Sequence, residues 1–475
     1  MKPKHCRRLA AASAALLLAL PAGLPSAGAG TANPVRFTYG PEDGGVVTVK
    51  TDPTRFKQCQ DPGPGQPFQT ATPAEVGLDA AALRAAADFH LQKLQETLYV
   101  LRFGCLVSTG HVNALFDTKV KHQWSITKPV STSVLGIAVT KGFLSVDDPV
   151  GKYLPELDEA HGRVTVRQLL THTQGTHLNL SREFQVAFNP NRVHEFNSLA
   201  FDHEPGTFFA YSQTGAAVLN AVVQRAVGRD FQDFAQDELF TPLGIKRDNW
   251  FWMRDAAGWT EGYAQLHMRP IDAVRLGQFW LEGMGWQGRR LVDPAFVADA
   301  LTGTEANPGF GYQFWLNHAP RWVTAGLPQR QEEQRPMIAS APQDMAYSFG
   351  WRGRHHFVMP NLGMAVYTTP VDHDFDYDLN DVHTMPWNQG EQNEGFHEFF
   401  RLLMKAVTDQ AVRDPGPWRV APDNHGDSTY LSEPDQTVDS RSSASNSDTT
   451  GMQRAGEDYV RVATNPDAGP FVPLH

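Results

Sequence analysis

The chain has 475 residues, of which 41% are hydrophobic and 20% are charged. This composition is typical of a folded protein with a large core, and the length allows about three domains of ordinary size. The formal net charge of −11 at pH 7 argues against nucleic acid and anionic membranes as partners, because both are bound by basic surfaces.

The first 30 residues have the pattern of an export signal. A basic start is followed by an apolar run over 9–24 and by small residues at 26–29. A membrane anchor is the alternative, but the run is shorter than the ~20 residues that a spanning helix needs. The Arg7–Arg8 pair leaves both the Sec and the twin-arginine route open. We therefore expect a secreted or cell-envelope protein with no membrane segment after signal removal.

Two cysteines, Cys59 and Cys105, remain once the signal and its Cys6 are removed. In an exported chain they can form a disulfide that ties the N-terminal extension to the first core strand. Two buried thiols are the alternative. We favour the disulfide.

The chain divides into an extension, a folded domain and a tail. Residues 31–71 are rich in Gly, Pro and Asp and predict an irregular extension, whereas residues 72–410 carry the periodic patterns of a folded domain. Residues 411–475 contain few aliphatic side chains and many Ser, Asp and Thr, so they predict a disordered tail.

Strands are predicted at both ends of the folded domain. Asp79 is expected to cap a first helix, and the stretch "TLYVLRFGCLVSTGHVNALF" predicts a hairpin with its turn at Thr109-Gly110. Residues 124 to about 300 are mostly helical in pattern. Residues 355–359 and 363–369 predict a second hairpin, and "FHEFFRLLMKAV" predicts a closing amphipathic helix. We therefore expect an α/β fold whose sheet is assembled from the terminal segments.

The stretch "WSITKPVSTSVLGIAVTKG" places Ser125 and Lys128 three residues apart before an apolar run. On a helix these side chains lie on one face, and Pro129 is tolerated only in the first turn. A serine at a helix start is close to unpaired backbone N–H groups, and a lysine that is buried can serve as its base. The alternative is two polar residues that open a buried helix, and the motif alone does not decide between them.

Further motifs resemble the serine β-lactamase-like hydrolases. They are "GFLSVDDPVGKYLPEL", "VTVRQLLTHTQG" and "EPGTFFAYSQTGAAVLNAVVQRAVGRDFQDFAQDELFTPLGI", which occur in the family's order. The family includes class C β-lactamases, D-alanyl-D-alanine carboxypeptidases, esterases, amidases and 6-aminohexanoate-oligomer hydrolases. The resemblance covers about residues 72–408. It implies a mainly antiparallel sheet flanked by helices, a mostly helical lobe, and a site between them.

The resemblance also implies roles for individual residues. Ser125 would be the acyl-forming nucleophile, Lys128 its partner, and Tyr211 the group that shuttles a proton to the leaving group. Gln213 stands where the family has Asn and keeps an amide for substrate binding on a longer side chain. The alternative for Gln213 is a neighbour without a role.

A third family element is expected on a strand near the end of the domain, where Ser348-Phe349-Gly350 fills the position of Lys-Thr-Gly. Gly350 would let substrate approach the backbone, and the N–H groups of Trp351 and Ser125 would form the oxyanion hole. Since Ser348 replaces a lysine, an anionic substrate loses an anchor. Cationic groups downstream can substitute for it, but a solvated strand edge is the favoured interpretation for them: Arg352, Arg354, His355 and His356.

No metal and no organic cofactor is implied. The acidic span "VDHDFDYDLNDVH" lacks the Gly and Glu that a calcium-binding loop needs at its sixth and twelfth positions, so we interpret it as a solvated loop. His172 and His177 lie in "THTQGTH", which fits a structural turn of the family, and we assign them no chemistry.

These observations predict an exported serine hydrolase that acts on a small ester or amide through an acyl-enzyme. A D-alanyl-D-alanine carboxypeptidase or β-lactamase is the alternative on the same fold. A second alternative is a catalytically lapsed protein that binds peptidoglycan or a peptide. The oligomeric state does not follow from the sequence.

Overall fold

The computed structural model describes residues 46–92, 95–109, 113–178, 191–319, 321–325, 332–333, 335–350, 353–370 and 391–418. All of them belong to the larger of the two units into which the chain divides, residues 38–475. The predicted signal segment, the acidic span 371–383 and most of the predicted tail lie outside the described residues.

Fourteen strands are present in the described part of the chain. They are β1 (Thr70–Ala71), β2 (Gln95–Arg102), β3 (Cys105–Val107), β4 (Lys121–His122), β5 (Trp250–Trp252), β6 (Leu266–Met268), β7 (Gly285–Trp286), β8 (Arg289–Arg290), β9 (Trp315–Leu316), β10 (Trp322–Val323), β11 (Glu332–Glu333), β12 (Ala346–Gly350), β13 (Arg354–Met359) and β14 (Met364–Pro370).

Ten α-helices accompany these strands within the described ranges. They are α1 (Ala80–Gln92), α2 (Thr127–Thr140), α3 (Glu159–Arg163), α4 (Val166–Leu170), α5 (Arg192–Asn197), α6 (Gln213–Val227), α7 (Phe231–Ala235), α8 (Pro270–Leu281), α9 (Pro294–Ala300) and α10 (Glu391–Lys405).

The main sheet has seven strands in the order β1-β3-β2-β14-β13-β12-β9. All neighbours are antiparallel except β1 and β3. Strand β2 from the start of the domain pairs with β14 from its end, with Val100 opposite Val366. The prediction that terminal segments form the sheet is therefore confirmed.

Two apolar layers enclose the sheet. One face packs on α1 and α10 through side chains such as Leu83, Phe357 and Phe400. The other face packs on α2 and α8, where Tyr99 and Val130 belong to the larger core. As predicted, Asp79 caps α1 by accepting a hydrogen bond from the backbone N–H of Ala82.

The predicted turn of the first hairpin is wrong. Strands β2 and β3 are joined at Phe103 and Gly104, which have φ angles of 50° and 76°, as hairpin turns of the primed types require. The N-terminal extension explains the glycine, because a Cβ on Gly104 would lie 2.2 Å from the carbonyl oxygen of Cys59. Cys59 and Cys105 form a disulfide next to this contact between the extension and the hairpin.

The second hairpin and the closing helix are confirmed. Strands β13 and β14 flank a short turn that ends at Gly363 with φ 56°. Helix α10 buries Phe396, Phe399 and Phe400. In the described residues, no helix has both the length and the apolar character required to cross a membrane.

Candidate active site

The candidate nucleophile lies immediately before α2. Ser125 is the middle residue of a single 3-10 turn, Trp124–Ile126, that leads into the helix. Pro129 is the third residue of α2, where its missing N–H leaves no helical hydrogen bond unmade. Ser125 is 8% exposed, and Trp124 beside it has a φ of 48°, a value that is uncommon outside glycine.

Lys128 is 1% exposed, and its ammonium donates hydrogen bonds to Ser125, Gln213 and Tyr263 among the described residues. Nζ donates to the Ser125 hydroxyl oxygen at 3.2 Å, to Gln213 Oε1 at 2.5 Å and to the backbone oxygen of Tyr263 at 2.9 Å. An ammonium has three donors, so these contacts orient the nitrogen towards Ser125. Loss of one proton would leave a lone pair for the serine hydroxyl, as a general base requires.

Tyr211 lies on the other side of the lysine. The Lys128 ammonium is 4.6 Å from the centre of its ring, and the ring is buried. It packs between His172 and Trp315, whose ring centres are 4.9 Å and 5.8 Å away. The three residues for which the family resemblance implies catalysis are therefore neighbours.

His172 holds the backbone next to Tyr211. Its Nδ1 accepts a hydrogen bond of 2.9 Å from the N–H of Ser212, and its carbonyl accepts one of 2.9 Å from Ala210. Burial and the nearby Lys128 keep the pKa of His172 well below its usual value, so the imidazole is neutral and carries its proton on Nε2. The sequence analysis gave His172 only a place in a turn, whereas the structure shows that it also binds the backbone on both sides of Tyr211. His177 instead pairs with Asp202 at 2.6 Å.

Gln213 is the first residue of α6. The sequence analysis left two alternatives for it, substrate binding or no role. Its amide oxygen accepts a hydrogen bond from Lys128, a contact with the candidate base that the sequence analysis did not predict.

Strand β12 lies directly on the chain that precedes the nucleophile. A Cβ on Gly350 would lie 2.5 Å from the carbonyl oxygen of Gln123 and 3.0 Å from the Trp124 Cβ. The glycine is thus required by this close approach of the protein's own chain, and the approach of a substrate to Gly350 stays a prediction. Ser348, two residues earlier, is buried, and its hydroxyl has no hydrogen-bond partner among the described residues. Trp351 lies outside the described residues.

The interpretation of the downstream cationic residues as a solvated strand edge is wrong for three of them, because Arg354, His355 and His356 are buried. Strand β13 is an inner strand between β12 and β14, and both of its faces are covered. His355 packs on Phe396 and His356 on Tyr367, at ring distances of 4.2 Å and 4.3 Å. Burial lowers the pKa of both histidines, so neither offers a cation to a substrate. Arg352 lies outside the described residues.

The sequence analysis missed several residues that support the site. Gln123 is buried beneath Ser125 and accepts a hydrogen bond of 3.0 Å from the Tyr367 hydroxyl. Tyr263 supplies a backbone oxygen to Lys128. A carbonyl contact does not depend on residue type, so no sequence signal marks it.

Comparison with known proteins assigns the family. Residues 120–353 match the family model Beta-lactamase. This stretch is therefore a Beta-lactamase domain, and the relationship and the fold class predicted from the motifs are confirmed.

Curated relatives include enzymes of several specificities. The esterase EstB of Burkholderia gladioli is 30% identical over 212 residues, which are 37% of this chain and 53% of EstB. The 6-aminohexanoate-dimer hydrolase of Paenarthrobacter ureafaciens is 26% identical over 299 residues, 54% of this chain and 74% of that enzyme. Penicillin-binding protein 4* of Bacillus subtilis (strain 168) is 28% identical over 141 residues, 28% of this chain and 30% of that protein. The matched part thus covers less than two thirds of EstB and of the penicillin-binding protein.

Proposed function

We propose that the protein is an exported serine hydrolase that cleaves small neutral esters or amides through an acyl-enzyme on Ser125. One observation carries the proposal. A buried lysine, Lys128, is bonded to the Ser125 hydroxyl at 3.2 Å and lies 4.6 Å from the ring centre of Tyr211. This arrangement gives the serine a proton acceptor and gives the leaving group a proton donor.

The reaction follows from these positions. Ser125 Oγ attacks the substrate carbonyl carbon while its proton passes to Lys128. As the family resemblance implies, the oxyanion would be bound by the backbone N–H groups of Ser125 and Trp351. Tyr211 delivers its proton to the leaving alcohol or amine and takes one back from Lys128, the carbon–leaving-group bond breaks, and an ester on Ser125 remains. Water then attacks this ester, one of its protons passes through the same groups to Ser125 Oγ, and the carboxylic acid is released.

The substrate preference rests on Ser348. A buried hydroxyl without a partner among the described residues can donate a hydrogen bond to a neutral substrate, but it cannot balance a carboxylate as a lysine would. The relatives do not decide between the substrate classes, because EstB, the 6-aminohexanoate-dimer hydrolase and penicillin-binding protein 4* are all among them. The chemistry of Ser348 favours esters or amides over penicillins and peptidoglycan stem peptides.

The nucleophile is tested by fluorophosphonate labelling and intact-mass measurement. We expect one label on the wild type and none on Ser125→Ala. Ser145→Ala, which changes an exposed serine, should label like the wild type. Equal labelling of Ser125→Ala would exclude Ser125 as the nucleophile. An unlabelled wild type that still binds peptidoglycan would favour the lapsed binding protein.

A substrate panel separates the enzymatic alternatives. We expect faster turnover of p-nitrophenyl acetate or butyrate, or of a neutral N-acyl anilide, than of nitrocefin or a D-alanyl-D-alanine peptide. Faster turnover of nitrocefin would indicate a β-lactamase, and release of D-alanine a carboxypeptidase.

Export is tested separately. In a bacterial host the mature protein should be recovered outside the cytoplasm, and its mass should show that about the first 30 residues have been removed. An intact N-terminus in the cytoplasmic fraction would contradict export.

A further inference from the structure

Three consecutive residues between β5 and β6 run past the candidate base. Tyr263 accepts the 2.9 Å hydrogen bond from Lys128 Nζ, and Gly262 accepts one of 3.2 Å from the Ser131 hydroxyl, one turn further along α2. A Cβ on Gly262 would lie 2.4 Å from the carbonyl oxygen of Ala216 in α6. The segment 261–263 is therefore in contact with both helices that carry the candidate site.

Glu261 fixes the start of this segment through a buried ion pair. Its two carboxylate oxygens accept hydrogen bonds of 3.1 Å from Arg192 Nε, and one of them accepts a third of 3.2 Å from Nη2. The side chains of Arg192 and Glu261 are 1% and 0% exposed. Two-point contacts of this kind fix the carboxylate in orientation as well as in distance.

Arg192 is itself held on two further sides. It is the first residue of α5, and its backbone N–H donates a 2.9 Å hydrogen bond to Asp255 Oδ2. Its guanidinium carbon lies 5.4 Å from the ring centre of Tyr263. One arginine thus contacts both the side chain of Glu261 and the ring of the residue whose carbonyl binds Lys128.

Stability alone does not account for this pair. The free energy lost when two charges leave water is roughly as large as the free energy gained from their attraction. A protein with apolar residues of similar volume in their place is often as stable. The ion pair can instead fix an orientation. It holds the backbone of residues 261–263 in place, and the position of this backbone determines the orientation of the Tyr263 carbonyl.

We infer that Arg192 and Glu261 are positioning residues that hold Lys128 against Ser125 by fixing the backbone carbonyl of Tyr263. This inference rests on the proposed function, because it assigns a role in placing the proposed base. Neither residue touches the reacting atoms. Their loss should slow proton transfer from Ser125 while leaving substrate binding largely intact.

The test replaces both charges together. Arg192→Met/Glu261→Met removes both charges of the pair, and Asp255 keeps its hydrogen bonds from the backbone N–H groups of residue 192 and Trp259, so the fold should persist. Either single change leaves one charge of the pair buried and unpaired and should lower the melting temperature more than the double change. For p-nitrophenyl butyrate we expect kcat of the double variant to fall about tenfold or more, because small displacements of catalytic groups are costly. KM should change less than about twofold, since uniform binding is retained. The rate of fluorophosphonate labelling should fall with kcat.

A matched control is available in the same chain. Arg102 and Asp409 form another buried ion pair at 2.7 Å, with side chains that are 0% and 2% exposed. Arg102→Met/Asp409→Met should alter the melting temperature to a similar extent but leave kcat unchanged. If the Arg192/Glu261 double variant does not fold, Glu261→Gln serves in its place. That variant keeps the shape and one acceptor oxygen, and we expect its kcat to fall about threefold or more at constant KM.

The outcomes separate the two claims. If the wild type turns over substrate and labels at Ser125 but the double variant matches it in kcat, the positioning role is wrong and the proposed function stands. If the Arg102/Asp409 control loses kcat equally, the effect is one of general stability and the inference is also wrong. If Ser125→Ala retains full activity, the proposed function fails and this inference fails with it.

Discussion

Gln213 Oε1 accepts a hydrogen bond of 2.5 Å from the ammonium of Lys128. The family resemblance implies Asn at this position, and the longer side chain of Gln213 reaches the base from the start of α6. The amide oxygen stabilises the ammonium without bringing a full negative charge. The choice between amide and carboxylate at position 213 should therefore control when Lys128 can accept a proton.

Gln213→Glu tests this relationship. A carboxylate beside the ammonium favours the charged form of the lysine, so a higher pH is needed to deprotonate Lys128. We expect the acidic limb of the kcat/KM profile for p-nitrophenyl butyrate to move to higher pH. Gln213→Leu, which removes the acceptor but adds no charge, is the matched control and should not move the limb upward. If the acidic limb of Gln213→Glu does not shift, this limb does not reflect the titration of Lys128.

Tyr211→Phe removes one hydroxyl and keeps the ring. The packing between His172 and Trp315 should survive, so the melting temperature should stay within about 2 °C of the wild type. Turnover should fall by about 100-fold to 10,000-fold, which is the usual contribution of a proton-transfer group. Steady-state kinetics and a thermal melt on the same sample check both statements. Unchanged turnover would remove Tyr211 from the mechanism.

His356 should make the protein sensitive to acid. Burial lowers its pKa to about 3 in the folded state, against a usual value near 6.5. The unfolded chain therefore binds a proton that the folded chain does not, and stability that is complete above about pH 6.5 is lost as the pH falls towards about 3. At about pH 4.5 the loss is roughly 3 kcal/mol for this one group.

His356→Phe should reduce the difference in unfolding free energy between about pH 7.5 and about pH 4.5 by that amount. Buried carboxyl groups with raised pKa, Glu261 and Asp255, act in the opposite direction, but they contribute equally to both proteins and cancel in the comparison. Chemical denaturation at the two pH values gives the measurement. His194→Phe changes an exposed histidine and should leave the difference unaltered. If His356→Phe loses as much unfolding free energy in acid as the wild type does, His356 is not the source of the acid sensitivity.

The disulfide should stabilise the fold without affecting catalysis. Cys59 and Cys105 are 46 residues apart in sequence, and closing a loop of this length contributes about 4 kcal/mol in the chain-entropy model. Cys59→Ser/Cys105→Ser should lower the melting temperature by about 5 °C. Because β3 is separated from β12 by three strands of the sheet, kcat should remain within about twofold of the wild type. An unchanged melting temperature would mean that packing alone holds the extension in place.

Features that depend on local pattern were predictable from the sequence. The start of α2 was predicted from Ser125, Lys128 and Pro129. Helical spacing and the restriction of proline to the first turn depend only on residues that are close in sequence. The first hairpin was misplaced because Thr109-Gly110 and Phe103-Gly104 both permit a turn, and what decides between them is the contact of Gly104 with Cys59. That contact joins distant parts of the chain.

The supporting contacts of the site were not predictable for the same reason. The pairing of Arg192 with Glu261 spans 69 residues, and the role of Tyr263 lies in its backbone. The burial of Arg354 and His356 depends on β13 being an inner strand, which the pattern of one strand cannot reveal. Such features follow only from the assembled sheet.

Gly350 lets β12 rest on the main chain of Gln123. Two backbones in contact keep a spacing that does not depend on the size of any side chain. A substitution at position 348 should therefore leave the distance between β12 and the chain before Ser125 unchanged. Under the proposed function, recognition would then be separable from reaction: in evolution, a change at Ser348 would alter the substrate range while the position of Ser125 is kept.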